Sequence, residues 1–587
     1  MKLDPTQLKD WQIAEEAEKN IISIERIASK LGVLDEELIK KGRYIAKLDY
    51  NKIWNRVKNK PVGKYIDITA ITPTPLGEGK TTTTLGLVEG LAKIGKRSVG
   101  AIRQPSGGPT FNIKGSAAGG GLSQCIPLAP FTLGLTGDID AITNAHNLCM
   151  VALTARMQHE FNYDDTRLES IGIKRLNIDP KKIQIKWAID FCAQSLRNIT
   201  IGKGGKMDGL EIESGFQISV SSELMAILSI SESLKDMRER ISKMVVAYSI
   251  DGNEITTKDL NVDGAMSAIM VETFNPNLIQ TIEGNPILVH AGPFANIAIG
   301  QSSVIADKIG IRLGDYLVTE SGFGADIGYE KFWNLKCRYS QLKPDAVVIV
   351  ATVRALKMHG GGPEVKPGRK LDSEYTTENL SLLEKGCENL IAHITTVQRS
   401  GSNPVVCINS FHTDTKAEHN LIKTICKKIG AKCAVSNHWL NGGDGAIDLA
   451  NTVVKACDEP NNFNFLYDNN ISFIKRIEKI AKEIYQANDV VWSDKATKKI
   501  AMIDSDKSMK NMGVCMVKTH LSISHDPELK GVPKNWSLPV EDVLIYKGAG
   551  FIVPVSGEIK LMPGTGSKPG FMNIDVNTDN GKITGLF

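Results

Sequence analysis

The stretch from residue 72 to residue 84, TPTPLGEGKTTTT, gathers two prolines, two glycines and a lysine, then four threonines in a row. Upstream, Tyr65-Ile66-Asp67-Ile68-Thr69-Ala70-Ile71 has the β-branched, apolar character of a buried strand. Downstream, Leu85, Val88, Leu91, Ala92 and Ile94 fall at helical spacing, and Gly95 followed by Lys96 and Arg97 gives a stop. Strand, tight loop and helix in that order suit phosphate binding, because N–H groups at a helix start are unpaired and the helix dipole makes the spot electropositive. Gly77 and Gly79 let the backbone approach phosphate oxygens, Lys80 neutralises terminal phosphates, and the Thr81 hydroxyl is the expected magnesium ligand. Thr74 stands where the usual pattern has glycine. A Gly/Pro turn can be a mere connection, but the lysine-threonine pair at the helix start favours a nucleotide site over Thr74, Pro75, Leu76, Gly77, Glu78, Gly79, Lys80 and Thr81.

The elements that must carry this loop alternate along the chain. Strand-like runs recur at 98–102, 285–291, 345–352 and 403–409 between helical segments, which predicts an α/β fold: a P-loop NTPase-like parallel sheet core with additional α/β domains. Ligands in such sheets gather at the carboxyl ends of strands. There the sequence places Arg103-Gln104-Pro105-Ser106-Gly107-Gly108, then VRALKMHGGGP, then SFHTDT, three loops rich in cations, hydroxyls or glycine and suited to anions. The first fifty residues read as an outer helical layer, with Ile13, Ala17, Ile21, Ile24, Ala28 and Leu31 on one face. From about Val532 short apolar runs punctuated by Gly and Pro suggest a small β-containing unit. The expected division is 1–330, a large domain with the nucleotide site; 331–465, a second α/β domain contributing folate and nucleotide contacts; and 466–587, a small C-terminal α/β domain.

At 587 residues the chain has an ample core, and 70 Lys plus Arg against 66 Asp plus Glu give a net charge of +4, too balanced to argue for nucleic acid or an anionic membrane. The N-terminus lacks an apolar signal core and no window holds about eighteen uninterrupted apolar residues, so a soluble cytoplasmic protein is expected. Ten scattered cysteines without a CxxC pair fit reduced thiols. His520 and His525 have no carboxylate or thiol at ligand spacing and read as hydrogen-bonding groups rather than metal ligands.

Taken together, TPTPLGEGKTTTT, RQPSGGPTFNIKGSAAGGG at 103–121, LTGDID at 135–140, HAGPFANIA at 290–298, GFGADIG at 322–328, VATVRALKMHGGGP at 350–363 and KTHLSISHDPELKGVP at 518–533 resemble the formate-tetrahydrofolate ligase family over nearly the whole chain. Gln104 and the closing Gly585-Leu586-Phe587 resemble its eukaryotic branch. The resemblance implies an ATP-dependent ligation in which formate takes the γ-phosphoryl group to give formyl phosphate, and the secondary amine of tetrahydrofolate then takes the formyl group. It implies catalytic roles for Lys80, for Arg103 as the formate and formyl phosphate clamp, and for Asp138 as a group that orients the amine or metal. Phe411 and Trp439 match the aromatics that stack the pterin. It further implies Mg2+, a monovalent cation (K+ or NH4+), and assembly into a homodimer or homotetramer.

Several positions differ from the family pattern. Asn112, Ser116 and Leu122 replace glycine, glycine and tyrosine; Gly134, Asp140 and Ile299 stand where histidines are usual; Gln217 replaces an aspartate and Ile212 an arginine. Losing a titratable group removes a charge and a hydrogen-bond partner together. Two other readings therefore stay open: a diverged relative that binds ATP and phosphorylates another carboxylate, and a nucleotide-binding protein without ligase activity.

Overall fold

The computed structural model describes residues 3–114, 117–294, 297, 299–365, 371–557 and 560–586. Gly115, Ser116, Ala295, Asn296, Ala298 and Phe587, which belong to the motifs above, lie outside the described residues.

The strand-like runs form one sheet. Its parallel part comprises β1 (Lys64–Ala70), β2 (Ser98–Ile102), β3 (Pro286–Val289), β4 (Tyr316–Glu320), β5 (Ala346–Ala351), β6 (Asn403–Asn409) and β7 (Lys432–Ser436). Across the sheet the order is β3-β2-β4-β1-β5-β6-β7, with every neighbouring pair parallel. Beyond β3 the segments Asn277–Thr281, Ala46–Leu48 and Leu38–Lys40 continue it antiparallel. The sheet does not stop at residue 330, since β5, β6 and β7 extend it directly from β1.

These strands are apolar throughout because both faces are covered. Side chains alternate between the faces: Val347, Ile349 and Ala351 of β5 join one core, while Ala346, Val348 and Val350 join the other. Helix α1 (Lys80–Lys93) covers the second face with Leu85, Val88 and Leu91. A long helix, α2 (Asp138–Asn162), lies beyond β2 in the chain. The first face receives α3 (Val353–His359) and α4 (Leu380–Arg399), the latter through Leu383, Leu390, Ile394 and Val397.

The N-terminal layer is more broken than its apolar periodicity predicts. Helices Asp10–Glu18 and Ile24–Leu31 are separated at Ile22, whose N–H donates to the Gln280 side chain at 3.3 Å and whose carbonyl accepts from it at 2.7 Å. A side chain from the sheet thus takes the bonds a continuing helix would have used. Beyond Gly32 (φ +73) the chain makes a short 3-10 turn at Asp35–Glu37 and then enters a strand, Leu38–Lys40. No helix among the described residues is long and apolar enough to cross a membrane.

The C-terminal part has its own small sheet of Gly513–Val514, Phe551–Val555 and Asp542–Tyr546. The Glu223 carboxyl ties it to the large part by accepting from Ala549 N–H at 2.9 Å. Burial raises Glu223 from an ordinary 4.5 to about 7. A raised carboxyl stabilises the fold fully below pH 4.5 and loses that contribution as pH rises to about 7. Glu223→Gln should therefore gain stability relative to the parent over that interval, by about 1.4 kcal/mol per pH unit, read from urea unfolding at stepped pH. A difference independent of pH would contradict this.

Candidate functional site

Because β1, β2, β4, β5 and β6 run parallel, the loops after them open on one edge of the sheet. After β1 the chain passes through residues 72–79 into α1. Gly79 caps the helix with φ +80 and contributes no side-chain bond, so the first N–H groups of α1 have no intrahelical or side-chain acceptor. Asn409, the last residue of β6, donates to Glu78 O at 3.0 Å. The Glu78 carboxylate turns back into the loop, accepting from Thr74 N–H at 2.7 Å and from the Thr74 hydroxyl at 3.1 Å. Thr74 is therefore a brace rather than an imperfect glycine, and Leu76 N–H adds to it by donating to its hydroxyl at 3.3 Å. Burial pushes Glu78 up, and Lys80 pulls it back.

Lys80 reaches within 4.0 Å of that carboxylate, with its side chain 17% exposed. Burial pushes its ammonium down, opposed by Glu78 and Glu320 and reinforced by Arg103. Thr81 donates its hydroxyl to Glu320 at 2.7 Å. Glu320 ends β4, the neighbour of β1, and its other oxygen is 3.9 Å from Arg103 Nε. The guanidinium of Arg103 lies against Gly322, and its Nε is buried without a hydrogen-bond partner. Lys80, Thr81, Arg103 and Glu320 thus converge. Two cations suit an anion, and the Thr81–Glu320 oxygen pair suits a hard cation such as magnesium, which takes few protein ligands when phosphate supplies the others. No larger group of metal-ligating side chains occurs among the described residues.

The other expected loops partly meet here. Arg354, after β5, donates to Leu76 O at 3.2 Å and lays its guanidinium 3.6 Å over the Phe411 ring. Phe411 follows β6 and Trp439 follows β7, both half-buried, with no ring contact between them among the described residues. Ser106 and Gly107 are held by Asp190 at 2.6 and 2.7 Å, and burial raises that carboxyl to about 6. Asn112 bonds Gly564 O and Gly566 N–H, fastening the glycine-rich segment to the C-terminal part.

A family model described as formate-tetrahydrofolate ligase matches residues 8–587. The chain belongs to the formate-tetrahydrofolate ligase family. Proteins of that name from Dehalococcoides mccartyi (strain CBDB1) and Desulforapulum autotrophicum are 61% and 59% identical to it, each over 100% of this chain, covering 98% and 100% of their own lengths. That of Desulfotalea psychrophila is 62% identical over 94% of this chain and 99% of its own.

Within this family member, Asp138 stands apart from the phosphate loop. It is buried at the start of α2, with one oxygen 2.7 Å from Lys47 Nζ and the other accepting from Asn277 at 2.7 Å. No contact with Lys80, Thr81 or Arg103 occurs among the described residues. Asp140 is exposed, so its extra charge is solvated. Gly134 accepts from Gln104 at 3.4 Å and adopts φ +100; Ile299 is fully buried, and Gln217 and Ile212 are buried in short strands. Leu122 donates its N–H to Trp439 O at 2.9 Å. Sequence reasoning missed Glu320 and Arg354. A search of strand ends for a carboxylate to partner Thr81 would have found Glu320, directly before GFGADIG.

Two outcomes follow from this geometry. Gly79→Ala would place a Cβ 2.5 Å from Asn409 Nδ2 in a left-handed conformation, and should weaken magnesium ATP binding by about tenfold or more in calorimetric titration. Lys47→Met leaves a buried carboxylate unpaired, so unfolding free energy should drop by about 3–5 kcal/mol; an unchanged urea midpoint would refute the pairing.

Proposed function

We propose that this chain ligates formate to tetrahydrofolate using ATP, giving 10-formyltetrahydrofolate, ADP and phosphate. The observation that carries the reading is the convergence of Lys80, Thr81, Arg103 and Glu320 at the carboxyl edge of a parallel sheet, in a chain belonging to this family. The strand, loop and helix order at 64–93 supports a P-loop NTPase-like core.

In the first step a formate oxygen attacks the γ-phosphorus, the β–γ bridging P–O bond breaks, and ADP leaves. Lys80 and the free N–H groups of α1 face the charge that develops on the phosphoryl oxygens. Arg103 holds the formate carboxylate, and afterwards formyl phosphate, with its planar fork. Magnesium, held through Thr81 and Glu320, would supply charge neutralisation on the phosphates. In the second step the amine nitrogen of tetrahydrofolate attacks the formyl carbon, the bond from that carbon to the phosphate oxygen breaks, phosphate leaves, and the amine proton passes to solvent. Phe411 and Trp439 are the proposed pterin-stacking pair; in support of it, both are half-buried, and Phe411 lies under Arg354, which bonds the phosphate loop at Leu76 O. Activation by K+ or NH4+ and assembly into dimers or tetramers belong to the same proposal.

Purified protein given magnesium ATP, formate, tetrahydrofolate and potassium should yield, on acidification, the absorbance of methenyltetrahydrofolate. Lys80→Ala should lower the rate by about a hundredfold or more, as loss of one oxyanion-stabilising group does elsewhere. Magnesium ATP binding without any folate product would overturn the reading and point to another carboxylate acceptor.

A further inference from the structure

The segment that carries Trp439 is seated directly on the helix that carries Lys80. On α1, a Cβ at Gly86 would meet His438 Cβ at 2.5 Å, and one at Gly90 would meet Ala446 Cβ at 2.8 Å. The helix gives up side chains at these two positions, one turn apart, so that residues 438–446 can lie against its backbone. Such an absence weakens a helix interior by about 0.5–1 kcal/mol at each glycine, which the close approach must offset.

His438 is fully buried in this contact. Its Nε2 is 3.3 Å from Thr83 Oγ1 and its Nδ1 is 2.8 Å from Ser436 Oγ. The Thr83 hydroxyl donates to Gly79 O at 2.8 Å, so its oxygen is left to accept from His438 Nε2–H. Nδ1 then accepts from the Ser436 hydroxyl, which lies nearer to it at 2.8 Å than to Gly445 O at 3.3 Å, and this selects one neutral tautomer. Burial depresses His438 to about 4, in keeping with a neutral ring. A single bonded chain therefore runs from Ser436, at the end of β7, through the ring to the carbonyl of the last phosphate-loop residue. Nearby, the Ser123 hydroxyl lies 3.1 Å from both His438 O and the Glu89 carboxyl of α1, closing the contact from a second side.

We propose that His438 is a positioning residue that fixes Trp439 relative to the phosphate loop through the chain Ser436–His438–Thr83–Gly79. The proposal rests on the reading that Trp439 stacks the pterin. Its consequence is specific: cutting the chain misplaces the folate-side aromatic while leaving Lys80, Thr81 and Glu320 in register, so the defect falls on tetrahydrofolate rather than on ATP.

His438→Ala opens a cavity and can fail to fold, so the test is made at Thr83. Thr83→Val keeps the volume and removes the hydroxyl; Thr83→Ser keeps the hydroxyl. The KM for tetrahydrofolate should rise by about tenfold or more in Thr83→Val, with the KM for ATP within about twofold, and Thr83→Ser should restore the parent value. Equal shifts in both KM values, or none, would overturn the proposal. Trp439→Ala is run beside them. If it raises the KM for tetrahydrofolate while Thr83→Val does not, the positioning role falls alone. If Trp439→Ala leaves that KM unchanged, the stacking reading fails and the proposal with it.

Discussion

The Glu320 carboxylate accepts the Thr81 hydroxyl on one side and faces the Arg103 guanidinium on the other. It joins the helix after β1 to the loop after β2, because Thr81 and Arg103 both meet it, and its charge also acts on Lys80. Charges this far removed from water are costly unless paired with good geometry. Here the pairing is loose, with 3.9 Å to Arg103 and 4.0 Å between Lys80 and Glu78. A phosphate entering the loop would complete what the carboxylates leave incomplete, which is a reason for an active site to keep cations under-bonded.

Buried titratable groups set two opposing pH dependences in this fold. His290, His359, His393 and His438 are each depressed to about 4 by burial. Their contribution is lost as pH falls from the ordinary 6.5 toward 4, because the unfolded chain then binds protons that the folded one does not. Asp67, Glu330 and Asp190 are raised to about 8, 7 and 6, again chiefly by burial, and their contribution is lost as pH rises through that range. Between pH 4 and 6 the two sets oppose one another, so a flat overall stability would conceal large individual terms. Asp67 stands in β1 itself, accepting from the Ser321 hydroxyl at 2.8 Å on both oxygens.

What the sequence made legible was local. The phosphate loop, its strand and its helix follow from residue types within about thirty positions, and four strands declare themselves by apolar runs. What stayed hidden was set by partners distant in the chain. Nothing near Ile22 announces that Gln280 will end a helix there. Nothing near Asp138 announces Lys47, whose ammonium occupies the carboxylate read as a catalytic group. Glu320 lies 239 positions from the hydroxyl it binds, and Asp190 fastens Ser106 from outside any motif. The family motifs drew attention to the right segments without saying which side chains would face one another.

The insertion of β4 between β2 and β1 carries a consequence for how the protein is made. The phosphate loop and its helix leave the ribosome early, but the strand that flanks them and delivers Glu320 comes some two hundred and forty residues later. Until then β1 and β2 cannot be in their final places, since the gap between them must hold a third strand. Local contacts can form at once, whereas this long-range one must wait for the chain and bear its loop-closure entropy. Vectorial synthesis therefore yields an inert N-terminal half, and a product truncated anywhere before residue 316 should be a chaperone client rather than a weak enzyme.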